Sequence, residues 1–363
     1  MNIKAIPHTL IRSLTRYWRG RWWHRVVMVV TAALVLWMGA RYGIAQWYIA
    51  SNRHKPLVLG ASFIPAYAES LGLDAQATMD ALIRDVGVRQ FRLVSYWDQL
   101  EPKQGRYDFS LLDWQFAKAE AAGAKITLSL GLRQPRWPEC HMPDWARQLP
   151  SGTDAGTWQS ELLNYLTTVV NRYKGSPALD SYQLENEYFL RGFGLCTDFS
   201  RDRLVGEYNL VKQLDPYHTL ILSRSDNYGL PLGQPIPDSY GFSVYRRVWD
   251  THTRRYFQYP LPAKWYASNA GLQQILHHKP SILHELQAEA WPPAGQSIAQ
   301  TPLAEQNKSL DAKRLKDTFQ FGKATGMREI YLWGAEYWYY RKTILHDPSL
   351  WAVAQTEFRS ANQ

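Results

Sequence analysis

Residues 90–130 read QFRLVSYWDQLEPKQGRYDFSLLDWQFAKAEAAGAKITLSL. A short apolar run at 90–95 leads through a turn-rich polar segment into an amphipathic stretch at 111–122, and a second apolar run follows at 125–130. Runs of five or six are strand length and a twelve-residue amphipathic stretch is helix length, so the segment predicts strand, helix, strand. Two strands joined through a crossover helix lie parallel. Working outward, further strand candidates fall at 57–63, 181–184, 219–223, 240–245, 281–285 and 329–333, with helical stretches at 75–85, 157–173, 201–214, 264–277 and 303–325. Eight strands alternating with helices over about 300 residues predict an α/β fold of the (β/α)8 TIM-barrel type. The weakest unit is NYGLPLGQPIPD at 227–238, which reads as loop. No GxGxxG or P-loop follows any strand, which removes a nucleotide-binding open sheet.

The 363 residues carry 41 basic and 32 acidic side chains, a formal net charge of +9. Such an excess suggests nucleic acid until its location is considered. Lys4, Arg12, Arg16, Arg19, Arg21, Arg25, Arg41, Arg53 and Lys55 all precede the first acidic residue, Glu69, which leaves 32 of each sign downstream. The body is balanced, so no nucleic-acid partner is expected. Behind the basic leader, residues 26–40 form an uncharged run, VVMVVTAALVLWMGA, which YGIAQWYIA extends to residue 50 after Arg41. Extended in this way, with Arg41 reaching toward a headgroup, the segment is long enough to cross a bilayer. Trp18, Trp22 and Trp23 then mark one interface and Trp47 and Tyr48 the other. A cleaved signal peptide is the second reading, since Gly43 and Ala45 are small residues at suitable spacing. The resulting division is a basic cytoplasmic leader at 1–25, a transmembrane signal anchor at 26–50, a linker at 51–56 and the barrel at 57–363. The positive-inside rule keeps the N-terminus in the cytoplasm and puts the barrel on the periplasmic or extracellular side of an inner membrane crossed once.

In a parallel barrel, chemistry sits where strands end. Those positions here are rich in acids, amides and tryptophan: Trp97 before EPKQGRYDF, Trp137 and Trp145 in RQPRWPECHMPDW, Trp291 after ELQAEA, and Trp333 and Trp338 in WGAEYWYY. Sugar rings stack on aromatic faces while their hydroxyls need the neighbouring acids, so Trp97, Trp137 and Trp333 are saccharide-binding candidates. Cys140 and Cys196 lie in the loops after the third and fourth strands. Export permits a disulfide between them, the alternative being two separately buried thiols. No His, Asp and Glu set has metal-ligand spacing and no cofactor fingerprint is present, so neither metal nor cofactor is expected.

Two carboxylates carry the functional reading. Glu187 lies in YQLENEY at the end of the fourth strand and Glu285 in ILHELQ at the end of the seventh. These strands face each other across a barrel mouth, and glycosidic bond cleavage needs two opposed carboxyl groups. The chain resembles the clan A glycoside hydrolases, the cellulase-like and β-galactosidase-like barrel enzymes. LENEYF is similar to the ENEY signature of the β-galactosidase branches, and RLVSYWDQLEPKQGRYDFSLLD to a second-strand stretch that the clan shares. ELQAE is similar to a nucleophile stretch of some β-galactosidases, and YLWGAEYW to their eighth strand. The resemblance spans roughly residues 57–340. It implies a retaining glycoside hydrolase acting on β-linked saccharides, with Glu187 as acid/base, Asn186 as donor to the substrate 2-hydroxyl and Glu285 as nucleophile. It also implies Arg92 and Tyr245 as partners of that nucleophile and Trp333 as the floor of the sugar subsite. Glu185 and Glu289 remain rivals for the two carboxylate roles, and Glu101 is expected to position a loop. A transglycosidase, or a non-catalytic saccharide-binding barrel in polysaccharide assembly or export, would share much of this pattern.

Overall fold

The computed structural model describes Trp18, residues 21–225 and residues 233–362. Lys4, Arg12, Arg16 and Arg19 of the basic leader, and residues 227–232 of the expected 227–238 loop, lie outside the described residues. Among the described residues, eight parallel strands close into a barrel. They are β1 (Val58–Ser62), β2 (Gln90–Val94), β3 (Lys125–Leu130), β4 (Leu179–Leu184), β5 (Thr219–Ser225), β6 (Ser239–Val244), β9 (Ser281–Gln287) and β10 (Glu329–Trp333). An antiparallel hairpin, β7 (Arg247–Asp250) with β8 (Arg255–Gln258), rises from the end of β6. Around the barrel the order is β1-β10-β9-β6-β5-β4-β3-β2, each strand beside its sequence neighbour apart from the hairpin insertion. The expected (β/α)8 TIM barrel is therefore the fold.

Sequence chemistry accounts for the layers. The strands are rich in apolar residues because both their faces are covered, one by the barrel interior and one by helices, with polar exceptions such as Arg92, Gln183 and Glu285. The helix Trp158–Tyr173 buries Leu162, Tyr165, Leu166, Val169, Val170 and Tyr173, three and four residues apart, and Thr157 caps its first turn by accepting from the Ser160 amide. Inside the barrel, Gly60 makes room for a bulky neighbour: a Cβ there would lie 2.6 Å from the Tyr331 ring. Tyr331 in turn shares a hydroxyl network with Thr127 and Ser181.

Several expectations need correction. The stretch at 303–325 is two helices, Leu303–Ser309 and Ala312–Ala324, because Leu310 is extended and Asp311 starts the second by accepting from the Arg314 amide. Helices Ala335–Thr343 and Ser349–Ala361 had no counterpart in the sequence reading. The largest difference concerns the N-terminal segment. One helix, α1 (Trp22–Asn52), runs 31 residues and is long and apolar enough to cross a membrane. Residues 51 and 52, expected in a linker, are its last turn. From Trp37 onward α1 packs against the barrel helix α2 (Ala263–His277), burying Ala45, Tyr48 and Asn52. Arg41 turns onto the barrel, giving a 2.7 Å hydrogen bond to Asn269 and lying over the Trp265 ring. Tyr48, expected at the far interface, packs against Gly271 and Gly326 instead.

Candidate active site

β4 ends at Leu184, and the next three residues reorganise the backbone: Glu185 and Glu187 both adopt positive φ. Strand alternation therefore no longer governs where their side chains point. Glu187 faces the barrel mouth, where its amide donates to Ser223. Glu185 turns outward, accepting from the amides of Leu132 and Arg133 and pairing with Arg203 at 2.8 Å. Gly131 lets it approach, since a Cβ at that residue would meet the Glu185 carboxylate at 2.6 Å and the backbone there has φ +107°. In a regular strand Glu185, two residues before Glu187, would share its parity and point the same way; two left-handed residues undo this, and the Glu185 carboxylate is occupied in holding two loops together.

Across the mouth, Glu285 on β9 accepts from Tyr245 at 3.0 Å and from Ser243 at 3.3 Å, and Arg92 of β2 lies 3.8 Å away. Arg92 also donates to Asn186 at 3.0 Å and to Gln183. Asn186 is held from both sides, its amide nitrogen donating to Glu139 at 3.0 Å. Glu139, Glu187, Glu285, Tyr245 and Trp291 line one cleft of about 260 Å³, together with Val248 and Trp249 of the hairpin and Tyr259 just beyond it. Burial first, and then the neighbouring Glu285 charge, push Glu187 up to about 7. Glu139 is raised as well, by burial and then by Glu187, against the opposing pull of Arg133 3.7 Å away. Beneath the carboxylates, His284 contacts Ser223 and Ser243, and burial followed by the Arg92 charge keeps its imidazole well below the usual range. That floor stays neutral.

The sequence-derived candidates are not all brought together. Glu187, Glu285, Asn186, Arg92 and Tyr245 form one connected network. Trp333 is buried next to that network, with the Arg92 guanidinium 5.7 Å and the Arg136 guanidinium 4.5 Å from its ring centroid. Trp97 belongs to packing: it is fully buried against Tyr165 and Trp145 and donates to Glu101 at 2.7 Å. Glu101 also receives the Gly105 amide, the loop-positioning part expected of it. Trp137 stands on the rim, 61% exposed, edge-on to Phe193 in the cleft wall. Glu289 pairs with Arg136 at 3.1 Å outside the cleft. Cys140 and Cys196 form a disulfide with Cα atoms 5.0 Å apart, tying the loops after β3 and β4. Sequence reasoning missed Glu139 and Ser243. Ser243 shares inward strand parity with Tyr245, and Glu139 adjoins a cysteine of the expected bond; both signals were present in the sequence.

A parallel barrel with two carboxylates facing each other at the carboxyl ends of its fourth and seventh barrel strands is the arrangement that the resemblance to clan A glycoside hydrolases implies. Residues 74–214 match the glycoside hydrolase family 42 model, described as beta-galactosidase. Among solved structures, the chain is similar to a polyextremophilic beta-galactosidase from the Antarctic haloarchaeon Halorubrum lacusprofundi, with TM-score 0.55 and 14% identity over 84% of this chain and 58% of that one. It is similar to a cold-adapted beta-galactosidase from a Rahnella species, with TM-score 0.53 and 12% identity over 85% of this chain and 56% of that one. A GH5_18 protein from Bifidobacterium longum, in complex with Manβ1-4GlcNAc, gives TM-score 0.57 and 13% identity over 85% of this chain and 78% of that one. The chain thus spans less than two thirds of the two beta-galactosidases, and at these identities the likeness is one of fold. The resemblance to clan A read from the sequence is borne out, and the family match supports a glycosidase.

Proposed function

We propose that the protein is a retaining glycoside hydrolase of β-linked saccharides, with Glu187 as acid/base and Glu285 as nucleophile. The observation that carries this reading is the unequal treatment of two carboxyl groups in one cleft: Glu285 is given two hydroxyl donors and a nearby guanidinium, while Glu187 is buried and pushed up to about 7. One is supplied with partners for its charge and the other is kept able to hold a proton, which is the division that double displacement needs. Glu285 attacks the anomeric carbon as Glu187 delivers its proton to the departing oxygen, forming a glycosyl ester. Glu187, now ionised, then takes a proton from the water that attacks that ester, which frees Glu285 and restores the original configuration. Asn186, fixed by Arg92 and Glu139, is placed to donate to the 2-hydroxyl.

The same reading makes residues 57–363 the catalytic domain, exported and held by an uncleaved α1. The contacts of Arg41, Ile44 and Tyr48 with the barrel favour retention of α1, because cleavage near Gly43 or Ala45 would remove part of that packing. The test is turnover of a panel of aryl β-glycosides by the full chain, with product configuration followed by NMR. Retention is expected. Glu285→Gly is expected to abolish turnover, and azide to restore it as a glycosyl azide of inverted configuration. An inverted first product, or no turnover across a panel broad in sugar and linkage, overturns the proposal.

A further inference from the structure

The direction of α1 decides which end of the barrel meets the membrane. Reading its contacts in order, Trp37 meets Trp265, with ring centroids 6.1 Å apart, and Arg41 meets Trp265 and Asn269. Ile44 and Tyr48 then meet Gly271, and Ile49 meets Gly326. Residue numbers rise together in α1 and α2, so the two helices run parallel. α2 descends from the carboxyl ends of the strands, where Tyr259 lines the cleft, to the amino ends, where Ser281 opens β9. α1 therefore descends as well, finishing at Asn52 close below the start of β1 at Val58. Its apolar beginning leaves the barrel at the opposite end, the end that bears the two carboxylates. Residues 22–36 extend about 22 Å beyond Trp37, most of the way across a ~30 Å hydrocarbon layer.

The geometry points to a catalytic mouth that faces the bilayer carrying α1, and hence to a substrate that is the saccharide headgroup of a membrane lipid and not a sugar free in bulk solution. This rests on the glycosidase reading of the cleft and adds the substrate class. Three features at the same end agree with it. Trp37, Tyr42 and Arg41 of α1 join Trp265 and Lys264 of the barrel in one aromatic and cationic belt, the composition that settles at a headgroup boundary. Only five residues of chain separate Trp265 in that belt from Tyr259 in the cleft wall, which keeps the mouth and the belt at the same end of the barrel. Its rim bears exposed apolar side chains, Leu195 at 61% and Phe257 at 45%, with exposed Arg191, Arg254 and Arg255 suited to anionic lipid phosphates. The opposite end offers no helix to a bilayer among the described residues; there Tyr217 is 93% exposed and α1 stops.

Two measurements on the full chain in lipid nanodiscs test this. With both native cysteines paired, single substitutions Leu195→Cys, Phe257→Cys and Tyr217→Cys can each carry an environment-sensitive fluorophore. Lipids bearing a headgroup quencher should quench the first two labels several-fold more than the third. Preferential quenching at 217, or no quenching at any of the three, overturns the orientation whatever the activity. For substrate class, the dioleoylglyceryl β-glycoside embedded in the disc is compared with the aryl β-glycoside of the same sugar. Cleavage of the lipid glycoside with kcat/KM at least ten-fold higher supports the inference. Turnover of the aryl glycoside with the lipid glycoside untouched, or without that preference, overturns the substrate class and leaves the glycosidase reading standing. If neither is cleaved across the sugar panel, the glycosidase reading fails and the substrate class falls with it, while the labels still decide the orientation.

Discussion

Glu187→Gln removes one ionisable proton and little else, so its consequences can be worked from the geometry. A carboxyl at its ordinary value of 4.5 is protonated in about 0.3% of molecules at pH 7, whereas one held at about 7 is protonated in about half of them. Burial and the Glu285 charge thus raise the acid-competent population by roughly 150-fold at neutral pH. General acid assistance itself is worth about 10²–10⁴ in rate when the leaving group needs a proton. The assay is kcat/KM against pH for aryl β-glycosides whose phenols range from strongly to weakly acidic. Wild-type activity should fall on the alkaline side of about pH 7. In Glu187→Gln that limb should vanish, with a loss of about 10²–10³ for the parent phenyl glycoside and under about ten-fold for a dinitrophenyl glycoside. Stability has the matching sign. Because folding raises this pKa, the group's contribution is fully present below pH 4.5 and is lost as pH rises through about 7. The variant should therefore gain relative stability across that window, on the order of 1–3 kcal/mol, read from urea melts at pH 4.5 and 8. An alkaline limb that persists in Glu187→Gln and disappears in Glu139→Gln would refute the assignment and transfer the acid role to Glu139.

Glu185→Gln should behave as a stability variant, losing about 3 kcal/mol in urea melts through its pair with Arg203 while the leaving-group dependence stays that of the wild type. Trp97→Phe should cost about 1–2 kcal/mol through its lost hydrogen bond to Glu101 and its packing, with KM unchanged within two-fold; a ten-fold rise in KM would restore it to the saccharide site. Replacing Cys140 and Cys196 by Ser opens a loop of 56 residues and should lower stability by roughly 4 kcal/mol, seen as a fall in Tm that dithiothreitol reproduces in the wild type and not in the double variant.

Local chemistry made most of the barrel strands legible, because a strand buried on both faces is rich in apolar and β-branched residues, even where β4 and β9 carry polar ones. The connected part of the site was legible for a related reason. Glu285, Tyr245 and Arg92 sit on strands, or one residue beyond, and strands fix direction. Where the sequence reading failed, position was set by partners distant in sequence. Trp97 was placed by its neighbourhood at a strand end, yet its indole is taken up by Tyr165, which is remote in sequence. Trp333 ends a strand as expected and lies beside Arg92, but the approach of Arg136 to its ring comes from a loop distant in sequence. Glu185 and Glu187 are two residues apart and face opposite ways because both are left-handed, a property no composition signals for glutamate. The register of α1 against α2 was illegible in the same way, since a helix carries no local mark of the surface it will meet.

That register also imposes an order of events on biosynthesis. Arg41 and its partner Asn269 are 228 residues apart, so at about 5–20 residues per second the chain is extended for roughly 10–45 s after Arg41 is made before Asn269 exists. Gly326, against which Ile49 rests, emerges later still. Throughout that interval the lower half of α1 has no barrel to rest on, while its upper half already has the composition to partition into lipid. On the anchored reading proposed above, insertion of the upper half precedes docking of the lower half, and the barrel closes beside a helix already made. A Gly271→Leu side chain would stand where Ile44 and Tyr48 now approach, its Cβ within 3.2 Å of both and outside the strand ladder, so it should block docking of α1 while leaving strand pairing intact.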